Sequence, residues 1–221
     1  MTTILLARHG ESDWNAEKRW QGHADRPLTE RGRGQAHALA ERLAEIELDT
    51  VYSSDLRRAR ETAEAVAGTK GLAVRALPAL REVDVGSWSG LTRLEAKERF
   101  PDDYARWLDG GHGWPDGETY EEMMERILQA VQRIVARHPD ERVLVVAHGG
   151  PIRAIHAHAL GMDVHAYRRM RPVEPNARLS AVCAEDGRLT RVCRGGEIED
   201  LLAEEELERA AEAAKPPSPG G

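Results

Sequence analysis

Cysteine, phenylalanine and long apolar runs are scarce in this chain, whose 221 residues include two Cys and one Phe. So few thiols suit a reducing compartment, the cytoplasm. Cys183 and Cys193 flank Asp186-Gly187, a two-residue hairpin turn. That turn sets Cys183 opposite Thr190 and Cys193 opposite Ser180, so no disulfide is expected. No segment approaches the ~20 apolar residues of a membrane span. Met1-Thr2-Thr3 leads straight into an apolar strand, without the basic start and cleavage site of a signal peptide. A basic excess is also missing. Lys and Arg number 31 against 38 Asp and Glu, a formal charge of −7, which argues against nucleic acid as a partner. Any anion site here has to be a local cationic pocket. His156-x-His158 suggests a metal, but that spacing on a helix points the rings apart, so neither metal nor cofactor is expected.

What is present is 41% hydrophobic and 31% charged residue, enough for one domain with a full core. Strands are expected at 4–7, 49–53, 73–75 and 142–147, the last apolar on both faces and so central. Helical periods run from Thr29 to about 45, from a Ser54 or Asp55 cap to about 67, and from Thr119 through Val135. Short helices are expected at 92–99 and 101–108, one follows Pro151 to about 160, and segments 178–184 and 188–194 form a hairpin. Residues 10–28 read as a long loop, which in a compact domain is often functional. Strands alternating with helices give an α/β fold, a three-layer α/β/α sandwich with a mostly parallel central sheet. Beyond the main unit, 1–196, the chain changes character. Residues 197–215 suit a Glu/Ala-rich helix with a thin stripe of Leu201, Leu202 and Leu207, and Pro216 to Gly221 suit a disordered tail. This 197–221 appendage is expected to be dispensable for activity.

Two strands end alike, Leu-Leu-Ala-Arg-His-Gly at 5–10 and Val-Val-Ala-His-Gly at 145–149. If they are neighbours, His9 and His148 meet in one crevice at the carboxyl edge, where open α/β sheets bind ligands. Arg8 suits a phosphate, and an imidazole is able to attack one. Gly149 opens a helix, so its N–H favours an anion. Arg57, Arg58 and Arg60 cannot share a helical face, so one turns inward while the others stay in water. Glu82 brings a lone carboxylate into a loop with Gly86, Trp88 and Gly90. Trp14, Trp20, Trp88, Trp107 and Trp114 all fall in or beside loops, and at least one is expected to border the substrate.

Together these pieces resemble the histidine phosphatase, or phosphoglycerate mutase-like, superfamily. The matching segments are Arg8-His9-Gly10-Glu11-Ser12 with Trp14-Asn15, Gln21-Gly22, Pro27-Leu28-Thr29, Ser54-Asp55-Leu56-Arg57-Arg58-Ala59, Leu80-Arg81-Glu82 and Val146-Ala147-His148-Gly149-Gly150, in family order over about 3–195. The resemblance implies that His9 is the nucleophile that becomes phosphohistidine. It implies that Arg8, Arg58 and a protonated His148 complete the phosphate pocket, that Asn15, Gln21 and Gly22 touch phosphate or substrate, and that Glu82 is the proton donor. It also implies a small-molecule phosphate ester as partner and allows a homodimer. Residues 91–118 lack the basic insertion and paired arginines of the mutases, which favours a phosphatase over a phosphoglycerate mutase, and the complete set of His9, Arg8, Arg58, Glu82 and His148 argues against a non-catalytic phospho-ligand binding module.

Overall fold

The computed structural model describes residues 1–213, with side chains of the last helix as far as Leu207. β1 (Thr2–Arg8) leads to a short helix, α1 (Asp13–Ala16), inside the segment expected to be loop. Ser12 and Asn15 form a capping box there, which is why one turn of helix forms. α2 (Glu30–Arg42) starts at the expected Thr29 cap. β2 (Thr50–Ser53) precedes α3 (Arg57–Lys70), whose cap position is Leu56 rather than Ser54 or Asp55. The Asp55 carboxylate is committed to Arg81 instead. β3 (Val74–Ala76) follows, then single 3-10 turns at Pro78–Leu80 and Gly86–Trp88. Next come α4 (Arg93–Arg99), α5 (Pro101–Leu108) and the long α6 (Tyr120–Arg137), capped by Thr119. β4 (Arg142–Ala147), α7 (Gly149–Ala159) and α8 (Val164–Met170) precede the hairpin of β5 (Leu179–Glu185) and β6 (Arg188–Arg194), and α9 (Gly196–Ala213) ends the described chain.

The sheet order is β3-β2-β4-β1-β5-β6. The first four strands are parallel and the hairpin adds two antiparallel ones. Successive side chains of a strand face opposite sides. Leu5, Ala7, Val51, Leu144 and Val146 therefore pack with α2, α3 and α9, while Ile4, Leu6, Val143 and Val145 pack with α6 and α7. This is the three-layer α/β/α sandwich. At the hairpin, Asp186 and Gly187 both take positive φ, 47° and 75°, as a two-residue turn of this hand requires. Cys183 does face Thr190. A bulge then shifts the register, so Cys193 faces Ala181 instead of Ser180. Both thiols are free and buried. No described helix is long and apolar enough to cross a membrane.

α9 is packed into the core rather than standing apart. Ile198, Leu201 and Leu202 join the core cluster, whereas Leu207 is exposed. Glu205 is buried and holds Arg142, itself 1% exposed, through Nη2 at 2.8 Å and Nε at 3.1 Å, and also accepts from the Thr3 hydroxyl. The expected Pro/Gly tail, 216–221, lies outside the described residues. Removing one partner of a buried ion pair costs about 3–5 kcal/mol, while replacing both with apolar residues is close to neutral. Glu205→Ala should therefore lower stability by about 3 kcal/mol in denaturant melts. The double variant Arg142→Met, Glu205→Leu should recover most of that loss.

Candidate active site

Parallel pairing of β1 with β4 sets Arg8 opposite Ala147, and the His9 N–H donates to the Ala147 carbonyl at 3.0 Å. His148 follows Ala147 and sits at the cap position of α7. The two imidazoles thus leave adjacent strand ends at one level, with ring centroids 5.0 Å apart. The chain turns away after His9 because glycines let backbones touch. A Cβ on Gly10 would lie 2.4 Å from the Gly32 carbonyl oxygen, and one on Gly32 would lie 2.0 Å from that of Glu11. The Gly10 N–H is held by the Thr62 hydroxyl of α3 at 2.9 Å.

The His9 Nδ1 lies 2.6 Å from the Gly10 carbonyl. A carbonyl only accepts, so Nδ1 carries the proton and Nε2 is left with its lone pair. Burial, with Arg58 and Arg8 nearby, holds the His9 pKa well below the usual histidine value. Burial, with Arg58, His9 and Arg8, does the same to His148. The protonated His148 expected from the sequence is therefore not favoured by the pocket itself, which keeps both imidazoles neutral.

Of the three arginines at the start of α3, only Arg58 is buried, at 1% exposure. Arg57 and Arg60 stay at the surface beside Glu61 and Glu64. Arg58 donates to the carbonyls of Ala24 at 2.7 Å and Gly22 at 2.9 Å, and Gly22 reaches this loop geometry at a φ of 50°. Arg8 donates to the Glu174 carbonyl at 2.7 Å. Neither arginine makes an ion pair among the described residues. Burial brings the Arg58 pKa down to about 10 and lowers that of Arg8. Both Nε groups and both ring nitrogens of His148 are buried without a hydrogen-bond partner in the structure.

Glu82 enters from the loop after β3. Its Oε1 accepts from the N–H groups of Gly150 and Val83, both at 3.0 Å. Backbone donors at the start of α7, more than aromatic walls, hold it. A Cβ on Gly150 would lie 2.3 Å from that oxygen, so glycine is required for the approach. Asn15 and Gln21 are anchored by their carbonyl oxygens. Asn15 Oδ1 accepts from Ser12 and Asn176, and Gln21 Oε1 from the Ser12 hydroxyl. Their amide N–H₂ groups remain as donors. Arg8, His9, Asn15, Gln21, Gly22, Arg58, Glu82, Gly149 and Gly150 line one cavity of about 180 Å³. His148 borders it as the ring partner of His9.

Trp20 is the tryptophan that lines the cavity. Trp88 and Trp114 are buried in the core, and Trp107 packs against them. The residues 173–177 that brace the site gave no sequence signal. There Asn176 donates to the His9 carbonyl at 3.0 Å, and the Ala177 N–H to that of Arg8 at 3.0 Å. His156, considered above for a metal, instead meets Ser180, Tyr167 and Arg194.

The family model described as the histidine phosphatase superfamily (branch 1) matches residues 4–195. The chain belongs to the histidine phosphatase superfamily. Phosphoserine phosphatase 1 of Hydrogenobacter thermophilus is 37% identical over 169 residues, 76% of this chain and 80% of that protein. A metal-independent phosphoserine phosphatase of Arabidopsis thaliana is 41% identical over 161 residues, 71% and 68% of the two chains. The solved structure of Bacillus stearothermophilus YhfR matches with a TM-score of 0.80 at 34% identity, covering 86% of this chain and 94% of that one. With this membership and these relatives, the protein is a phosphatase of small-molecule phosphate monoesters.

Two outcomes follow from this geometry. Gly150→Ala should displace the Glu82 carboxylate and lower kcat by at least about tenfold with little loss of folding, measured by turnover and melting temperature. Three buried histidines, His9, His148 and His156, titrate below their unfolded value, and His156 is brought down to about 3 by burial and Arg194. The unfolded chain then binds more protons below about pH 6.5, so stability is fully present above that pH and falls as the pH drops. His156 alone should remove about 2 kcal/mol between pH 7 and pH 5 at about 1.4 kcal/mol per unit. Denaturant melts at the two pH values check this, and His156→Gln should reduce the difference by about 2 kcal/mol, leaving the share of His9 and His148.

Proposed function

We propose that this phosphatase transfers the phosphoryl group of its substrate to His9 Nε2 and then to water. Support comes chiefly from one observation: the lone-pair nitrogen of His9 lies in a pocket where the Nε–H groups of Arg8 and Arg58 and the ring N–H of His148 have no protein acceptor. A phosphate would supply those acceptors. Arg8 and Arg58 balance its charge, Asn15 and Gln21 donate their amides, and the Gly149 N–H lies in the unpaired first turn of α7. Neutral His9 attacks phosphorus as the bond to the ester oxygen breaks, and Glu82 gives its proton to the departing alkoxide. Water then attacks the phosphohistidine, Glu82 takes a proton from it, and phosphate leaves with His9 neutral again. The negative phosphate offsets the burial and cationic neighbours that keep His148 neutral, so His148 takes up a proton as the ester binds and becomes a further donor. On this reading the positive charge comes from side chains, without a metal ion, and the two free thiols fit a cytoplasmic location.

Hydrolysis is favoured over mutase chemistry by the segment after Glu82. No residue of 91–118 lines the cavity among the described residues. Arg93 lies over Trp107, and Arg106 is paired with Asp103. Release of phosphate from p-nitrophenyl phosphate in chelator should be abolished in His9→Ala, with loss of an acid-labile phosphoenzyme. Glu82→Gln should lose more rate on an alkyl phosphate than on p-nitrophenyl phosphate, whose leaving group needs little protonation. Bisphosphate-dependent interconversion of 2- and 3-phosphoglycerate exceeding hydrolysis would overturn the reading.

A further inference from the structure

The strap 171–177, which runs from α8 to β5 past the end of β1, has little backbone bonding of its own. Pro172 and Pro175 carry no N–H, and residues 172–176 belong to no helix or strand. Ala177 takes a φ of 56°, a left-handed conformation that a non-glycine residue keeps only where its surroundings enforce it. Yet the strap sets the end of β1. The Glu174 carbonyl accepts from Arg8 Nη1 at 2.7 Å, Asn176 donates to the His9 carbonyl at 3.0 Å, and the Ala177 N–H donates to the Arg8 carbonyl at 3.0 Å. Arg8 makes no ion pair among the described residues, so the Glu174 carbonyl is what orients its guanidinium.

The side chain of Glu174 points the other way, to Arg194 on β6. Arg194 Nε donates to Glu174 Oε1 at 3.1 Å, and its Nη2 donates to His156 Nδ1 at 2.8 Å and to the Tyr167 hydroxyl. A guanidinium only donates, so His156 accepts at Nδ1 and carries its proton on Nε2, which donates to the Ser180 hydroxyl at 3.0 Å. One side chain thus ties the strap to α7 and α8. Its own position is fixed by the sheet: Arg194 lies opposite Ser180, and Ser180 opposite Leu6, in a single row that meets β1 two residues before Arg8. Arg194, His156 and Tyr167 do not line the cavity and have no task in the chemistry above. An ion pair this close to solvent adds little to stability, so the loss of Arg194 should be read in the site rather than in the melt.

We propose that Arg194 is a positioning residue for the reaction: acting through Glu174, it sets the guanidinium of Arg8 at the phosphate. The proposal rests on the reading that Arg8 binds phosphate. Competitive inhibition of p-nitrophenyl phosphate turnover by inorganic phosphate reads the pocket directly. Arg194→Gln should weaken that inhibition and lower kcat/KM, each by about tenfold, as misplacing a binding group does. Its melting temperature should stay close to that of the wild type. Arg194→Lys, which keeps a cation for Glu174, should retain part of the activity. Glu174→Gln should match Arg194→Gln, and the double variant should be no worse than either alone. In an Arg8→Gln background, Arg194→Gln should cost no more than about twofold, because the residue it acts through is gone. Equal losses with and without Arg8 would overturn the proposal. So would a lowered melting temperature with phosphate inhibition and kcat/KM unchanged, the mark of a purely structural role. If Arg194→Gln does not fold, Glu174→Gln in the two backgrounds makes the same comparison. If Arg8→Gln itself leaves phosphate inhibition unchanged, the reading of the phosphate pocket falls and the role of Arg194 with it. If Arg8→Gln weakens inhibition and Arg194→Gln does not, only the role of Arg194 falls.

Discussion

Parallel pairing of β1 and β4 is the constraint on which the site depends. With Arg8 level with Ala147, the two strands release His9 and His148 side by side at the carboxyl edge of the sheet. A slip of one residue would turn every side chain of β1 to the other face and carry His9 away from its partner. The register is held by the alternation of Ile4 and Leu6 toward one core and Leu5 and Ala7 toward the other. Burial on both faces thus fixes the position of the sheet's carboxyl edge to within one residue.

Around that edge the protein keeps positive charge without neutralising it. Arg8 and Arg58 are braced by backbone carbonyls, which orient a guanidinium but carry no net charge to cancel it. The same positive surroundings, with burial, keep the imidazoles neutral, which a nucleophile needs. The Gly10 carbonyl then decides the tautomer and so which nitrogen of His9 keeps its lone pair. Glu82 is placed differently, against backbone N–H groups at the start of α7, and Gly150 makes room for it. Charge, tautomer and carboxylate position all depend on main-chain groups, so the site is built largely from how the backbone passes.

Much of the fold was legible because its signals are local. The apolar run at 142–147, the Thr29 and Thr119 caps and the Asp186-Gly187 turn each carry their own physics, and each appears where expected. The differences arose where a distant partner intervened. Asp55 serves Arg81 instead of capping α3, and a bulge in the middle of β6 moved Cys193 by one position. α9 is held by Arg142, a residue far away in the chain, so its thin apolar stripe understated how firmly it packs. Of the tryptophans, Trp20 borders the cavity as expected, while Trp88 and Trp114 turn inward to form the core beside it.

Arg8-His9-Gly10 and its echo at His148-Gly149 were determined by the sequence alone, together with the sheet edge that carries them. Residue type and the end of an apolar run suffice for that. The choice between His9 and His148 as nucleophile rested at that stage on resemblance. Tertiary structure distinguishes the two rings, because only a folded backbone brings a carbonyl to one ring nitrogen of His9 and leaves both nitrogens of His148 unbonded. It also decided which arginine turns inward, and it placed Asn176 and Val173 at the site. Neither of those two residues belongs to a local pattern. Their roles exist only where separate segments of the chain meet.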